Sequence, residues 1–165
     1  MEVWKSIKDY PNYEISNLGR VKSLQRFVNH YHGGKALKKE KILNPNKCIF
    51  GYYSVTLFDG YKYKMYKIHR LVGINFILNS LNKKEINHIN GIKTDNRLEN
   101  LEWCTRSENT IHSYKTGLQK INKKVSENQL IEIKKILNKD ILQKDIALKF
   151  NLSQTIISKI KLGIY

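Results

Sequence analysis

One stretch constrains the fold of this chain more than any other: Asn87-His88-Ile89-Asn90-Gly91, then Asp95-Asn96-Arg97-Leu98-Glu99-Asn100-Leu101-Glu102-Trp103, then Glu108-Asn109. A histidine beside an amide ends a short strand. A long polar loop follows, then a second strand ending in Leu101 and Trp103, then the start of a helix carrying Asn109. Neighbouring strand residues face opposite ways. Asn87 and His88 can therefore serve one group only with a local twist, which a strand end beside a loop allows.

The charge narrows the partners. Thirty Lys and Arg stand against 14 Asp and Glu, a net charge of +16 in 165 residues. An imbalance of this size points to a polyanion, because Lys and Arg gain by releasing counterions from phosphates. Ten tyrosines add flat surface for packing, stacking or phosphate bonding. With 41% hydrophobic and 27% charged residues the chain can bury a core. Its apolar runs are short, so a single large core is not expected. Cys48 and Cys104 form no CxxC pair and read as packing residues in a reducing compartment. The first residues do not read as a signal peptide. No run approaches the roughly 18 apolar residues that span a bilayer. A soluble, cytoplasmic protein with no membrane partner is expected.

The chain divides into four parts. Residues 1–60 are β-rich, with turns at Tyr10-Pro11-Asn12 and Asn17-Leu18-Gly19. Within them, residues 29–41 read as an exposed loop, where His30 and His32 resemble a metal pair only superficially. A hairpin spans 49–69, turning at Asp59-Gly60. Its second strand spaces Lys62 and Lys64 on one face, followed by Tyr66 or Lys67 depending on register. That strip suits a phosphate backbone or, equally, edge protection by lysine. Residues 61–117 hold a short helix at 69–77 and the central stretch, with Ser107 as the N-cap of a helix that Gly117 ends. Residues 118–125, with Lys123 and Lys124, form a basic linker.

Residues 126–165 form the last part. Ser126 caps a helix through Leu130, Ile133 and Leu137. Gln143–Phe150, the turn Asn151-Leu152-Ser153, and Gln154–Ile160 then resemble a helix-turn-helix. Small Ala147 permits a close crossing, and Asn151 tolerates the left-handed conformation. Gln154, Thr155, Ser158 and Lys159 would face a major groove. The plainer alternative is a helical hairpin packing on something else.

Cutting a phosphodiester needs an activated water, a cation at the phosphate and a stabilised leaving oxygen. Neutral histidine can take the water's proton near pH 7. Hard oxygen ligands suit Mg²⁺ or Mn²⁺, with DNA phosphates completing the shell.

The central stretch resembles the HNH nuclease motif. The whole chain is similar to the HNH homing endonucleases encoded in phage introns, from Trp4-Lys5-Ser6-Ile7-Lys8-Asp9-Tyr10 and Tyr13-Glu14-Ile15-Ser16-Asn17, through Ile68-His69-Arg70-Leu71-Val72, to the helix-turn-helix. Residues 29–48 match least. The resemblance implies His88 as general base, Asn87 and Asn109 as metal ligands, and Asn100 as the residue pinning the hairpin loop. His112, three residues beyond Asn109, is a further candidate ligand; a hydrogen-bonded packing role is the alternative. The family often carries aspartate at the position of Asn87, and an amide brings no charge, so weaker metal binding is expected. His69 is expected to pack or contact phosphate. Arg70, Arg97 and Arg106 join Lys62, Lys64, Lys67, Lys123, Lys124 and the four helix residues as expected DNA contacts.

The expectation is a modular, elongated α+β chain: a small antiparallel N-terminal sheet, a central ββα-metal unit and a C-terminal helix-turn-helix. It would act as a monomer on double-stranded DNA, nicking one strand. The rivals are a catalytically weak or silent DNA-binding regulator on the same scaffold and an RNA binder. The helix-turn-helix favours duplex DNA, because A-form RNA hides its major groove.

Overall fold

The computed structural model describes residues 1–29, 33–119, 125–137 and 141–165. His30, His32, Lys123 and Lys124 lie outside these. The chain forms two compact units, Met1–Thr105 and Arg106–Tyr165. Among the described residues no helix is long and apolar enough to cross a membrane.

The first unit opens with β1 (Trp4–Ile7), β2 (Tyr10–Ser16) and β3 (Val21–Ser23). A ribbon of β4 (Arg26–Asn29) and β5 (Lys35–Lys38) follows, then β6 (Lys41–Ile42). β6 pairs with β3, closing an antiparallel sheet of order β1-β2-β3-β6. The β4–β5 ribbon replaces much of the loop expected at 29–41. Its register sets Phe27 against Leu37, and both stay exposed. This pairing buries little, so the hydrophobic pattern did not announce it.

β7 (Asn46–Lys47), β8 (Tyr53–Phe58) and β9 (Tyr63–Lys67) make a second antiparallel sheet. Asp59 turns the hairpin: its Oδ1 accepts from the backbone N–H of Tyr61 and of Lys62, each at 2.9 Å. Those two donors hold its carboxyl below the usual range. Val55 and Leu57 are buried and fix the register, pairing with Tyr66 and Lys64. Lys64 therefore shares a face with Leu57 and Tyr66, whereas Lys67 shares the other with Tyr63 and Met65. Lys62 lies in the turn. The three lysines do not form one strip.

Helix α1 (Ile68–Phe76) follows directly and buries Ile68, Leu71 and Val72. It packs on β10 (Glu85–His88) and β11 (Leu101–Cys104), an antiparallel pair. Gly73 makes the approach possible, since a Cβ there would collide with Ile86 Cδ1. Trp103 Nε1 donates to the Ile77 carbonyl at 3.1 Å, tying the strand to the helix end. One apolar cluster runs from Ile7 and Tyr10 through Val55 and Leu71 to Ile86 and Leu101.

The second unit holds α2 (Arg106–Lys115), α3 (Glu127–Leu137), α4 (Gln143–Lys149) and α5 (Gln154–Lys161). α2 begins one residue before Ser107, which is helical rather than a cap. Gly117, at φ +72°, receives the chain beyond it. At α3, Ser126 Oγ accepts from Gln129 N–H while Gln129 Oε1 accepts from Ser126 N–H, a reciprocal capping box. Ile133, Ile146, Ala147, Ile157 and Ile160 form this unit's core.

Candidate active site and nucleic-acid surfaces

β10 carries the central pair. Its register sets Asn87 opposite Glu102 and His88 opposite Leu101. The alternation is kept: Asn87 lies on the Glu102 face, and His88 on the face of Ile86 and Leu101. Asn87 Nδ2 donates to Glu102 Oε1 at 2.9 Å. That bond engages the amide nitrogen, so a cation at Asn87 would be met by Oδ1. It also places a carboxylate beside an amide that itself has no charge. Glu102 was not singled out from the sequence; period-two pairing across the hairpin was the signal that could have found it.

His88 ends the strand, buried at 5% exposure. Its Nε2 lies 3.2 Å from Asn96 Oδ1. Burial pushes the imidazole below its ordinary pKa, opposed by the Asn96 bond and by Asp95 and reinforced by Lys93. The net direction favours the neutral imidazole. The following loop is wound on Asn100, whose Oδ1 accepts from Asn90 N–H at 2.9 Å. Its Nδ2 donates to the Asp95 carbonyl at 2.8 Å and to Asn90 Oδ1 at 3.0 Å.

Arg97 grips Asp95 through two bonds of 2.8 Å and reaches Glu99 at 2.9 Å. These ion pairs hold the Asp95 carboxyl far below the usual range. The guanidinium expected on DNA is thus shared with the loop's own acids.

Two aromatic rings from other segments crowd His88. The His69 ring lies 5.1 Å away and the Tyr52 ring 5.9 Å, with Tyr52 and His69 4.9 Å apart. His69 is buried, and its Nδ1 has no hydrogen-bond partner among the described residues. Burial, with His88 and nearby cations, pushes its pKa down to about 3. The ammonium groups of Lys67 and Lys93 stand 4.7 and 5.0 Å from the Tyr52 ring centre. Tyr52 and Lys93 were also missed, because their sequence neighbourhoods give no sign of this meeting.

Arg70 is exposed, donates to the Lys84 carbonyl at 3.1 Å and lies over Trp103. Lys62 and Lys64 are exposed on the hairpin. In the second unit, Arg106 is exposed at the start of α2, and Asn109 and His112 sit half-buried one turn apart on it. No group of three or more His, Cys, Asp or Glu side chains arranged for a metal ion occurs among the described residues. An ion here would rest on amide oxygens and single carboxylates. The hard oxygens of Asn87 and Glu102, adjacent across two strands, suit a divalent cation.

α4 and α5 meet through a tight turn. Asn151 takes φ +52°, Leu152 N–H bonds back to the Ala147 carbonyl at 2.9 Å, and Asn151 N–H to that of Leu148 at 3.2 Å. This is a Schellman closure with asparagine in the left-handed position. Gln154, Thr155, Ser158 and Lys159 line an open groove with Gln143. Gln154 and Thr155 are exposed, while Lys159 is drawn 4.8 Å from the Tyr114 ring centre.

Known proteins are similar to this chain in sequence and in fold. A NUMOD4 motif model matches residues 2–58, and an HNH endonuclease model matches residues 66–111. An uncharacterized HNH endonuclease of Acanthamoeba polyphaga mimivirus is 39% identical over 74% of this chain and 29% of its own length. The DNA endonuclease I-HmuI of Bacillus phage SP01 is 32% identical over 73% of this chain and 62% of its own. The chain thus aligns with about a third of the mimivirus protein and less than two thirds of the phage enzyme. A solved structure of the HNH homing endonuclease I-HmuI, described as DNA binding and cleavage, superposes with a TM-score of 0.59. It is 25% identical and covers 99% of this chain and 91% of that one. The chain thus carries a NUMOD4 motif ahead of an HNH endonuclease domain, in the order the two matches give.

Proposed function

We propose that this chain is a site-specific DNA endonuclease of the homing type, which hydrolyses one phosphodiester strand per binding event. The observation that carries the proposal is His88: a buried imidazole at a strand end, held by an amide and followed by a loop pinned on Asn100. His88 takes the proton from the attacking water. A general base of this kind contributes roughly 10²–10⁴-fold to rate. Asn100 keeps the loop in the shape that His88 and Asn96 need. Asn87 and Asn109, with His112 as a further ligand, are the residues of the motif that would hold a divalent ion such as Mg²⁺ or Mn²⁺. Its chemistry there would be to offset charge on the phosphate and on the leaving oxygen. Glu102 offsets the charge that Asn87 lacks.

Lys67 and Lys93, gathered around Tyr52 beside the imidazole, hold DNA phosphates close to the base. Lys62, Lys64, Arg70 and Arg106 extend that contact, and α5 reads base edges through Gln154, Thr155 and Ser158. We assign residues 1–60 to DNA contact, 61–117 to cutting and 126–165 to anchoring, joined by the linker at 118–125. The protein acts as a monomer in the cytoplasm of a bacterial or phage-infected cell.

DNA amplified from the locus flanking the chain's own gene, incubated with the protein and Mg²⁺ or Mn²⁺, separates the readings when both strands are resolved on a denaturing gel. One cut strand that disappears with chelator is expected. Tight binding with no product under any divalent ion would establish the regulator instead.

A further inference from the structure

We infer that Asn96 is the positioning residue that fixes the tautomer of His88, and that the turn at Asn17–Arg20 in the N-terminal sheet holds Asn96 in place. The inference rests on the reading of His88 as base and adds to it the identity of the atom that takes the proton.

The bond between His88 Nε2 and Asn96 Oδ1 does not by itself say which group donates, because a neutral imidazole carries one N–H and one lone pair. The other end of the amide decides. Asn96 Nδ2 lies 3.3 Å from the Thr94 carbonyl oxygen, which only accepts. The amide nitrogen must therefore face Thr94, and its oxygen must face His88. An amide oxygen only accepts, so His88 carries its proton on Nε2, and the lone pair sits on Nδ1. Turning the amide over would oppose two oxygens at Thr94 and force the other tautomer. Asn96 is 5% exposed, which leaves little room for water to replace either bond.

Asn96 is in turn wedged by a segment nearly eighty residues earlier. Gly19 adopts φ +77°, and a Cβ there would come 2.7 Å from Asn96 Cβ and 3.0 Å from the Asn96 carbonyl oxygen. Leu98 N–H donates to the Asn17 carbonyl at 2.8 Å, fastening the same loop to the same turn. Ser16 Oγ accepts from Leu18 N–H at 3.2 Å and Arg20 N–H at 3.0 Å, which stiffens the turn from below. The N-terminal motif is thereby part of the catalytic geometry as well as a DNA-contacting element.

Side-chain ¹⁵N spectra of the full-length protein, labelled at histidine, test the assignment directly. The wild type should show His88 protonated at Nε2 alone. N96A should lose the single tautomer and cut about 10- to 100-fold more slowly at saturating DNA with unchanged affinity, a loss smaller than removal of the base. N96D, whose carboxylate also accepts from Nε2, should restore the tautomer. G19A should disturb the His88 signals. G60A should not: Gly60 also has a positive φ, of +107°, but a Cβ there would meet nothing within 4 Å. A wild-type spectrum with the proton on Nδ1, or N96A retaining both tautomer and rate, would overturn the inference. If H88A still cuts while the spectra are as described, the base reading fails and the Asn96 assignment stands.

Discussion

The β10–β11 hairpin buries polar side chains among apolar ones, whereas the described core of the C-terminal helices is apolar alone. Around β10, His69, Asn87, His88, Asn96 and Asn100 are all buried. In the helical unit the described buried residues are Val125, Ile133, Ile146, Ala147, Ile157, Ile160 and Ile164, all apolar. A buried polar group without its partner costs about 1–3 kcal/mol, so a polar core is stable only when each amide has a specified neighbour. Such a core gains defined atom positions. An apolar core gains stability and leaves its polar side chains on the outer surface. The first suits bond breaking and the second suits reading.

If that contrast is right, His88→Ala should produce the largest functional loss, about 10²–10⁴-fold in strand cutting, with DNA affinity preserved in a mobility-shift titration. A variant that cuts normally would remove His88 from the chemistry. The matching change in the other core is Ile157→Ala, at a residue with 0% exposure. It should cost roughly 2–5 kcal/mol in unfolding of the helical unit, read by denaturant titration. Cutting of DNA at saturating concentration should survive it. Equal damage to both activities would mean that the two regions do not divide the work.

The sequence exposed features governed by local rules. The Asp59-Gly60 turn, the helix starting beside His69, the cap at Ser126 and left-handed Asn151 each follow from a few neighbouring residues. The polar loop between two short strands was readable in the same way. Contacts set by long-range packing were hidden. Tyr52 reaches His88 from 36 positions away, and Gly19 reaches Asn96 from 77, through a shared core that no periodicity reveals. Of the lysine strip, Lys64 keeps Tyr66 on its face, while Lys62 falls in the turn and Lys67, three positions on, takes the other face. The β4–β5 ribbon was missed because it buries too little to leave a hydrophobic pattern.

A third expectation uses acid to sharpen the same comparison. The His69 pKa falls to about 3 in the folded protein, against about 6.5 for a free imidazole. Between those values the unfolded chain takes up a proton that the folded chain refuses, so stability falls as pH falls through that window. From pH 7 to pH 5 the loss from this residue should be about 2 kcal/mol. His69→Phe, which keeps a ring against Tyr52 and His88 without titrating, should flatten that part of the pH dependence of the urea midpoint. A variant with the wild-type slope would show that His69 is protonated in the fold. His88 shifts in the same direction, so cutting, which needs its neutral form, should persist below the pH at which a solvent-exposed imidazole would be half charged.

The smallest effects should separate charge from readout. Lys67 stands over Tyr52, whose ring lies against His88, and among the described residues no carboxylate lies within ion-pair distance of it. Lys67→Gln should lower the slope of log affinity against log salt by about 0.9, the release of one phosphate counterion, and should do so on any DNA sequence. Gln154→Ala, on the exposed face of α5, should leave that slope alone. It should instead reduce discrimination at one base pair by about 1–3 kcal/mol. Reversed outcomes would exchange the roles of the two surfaces: a salt-insensitive Lys67 variant would mean that its ammonium only packs on the tyrosine, and a Gln154 variant that weakens all sequences alike would place that helix on the phosphate backbone.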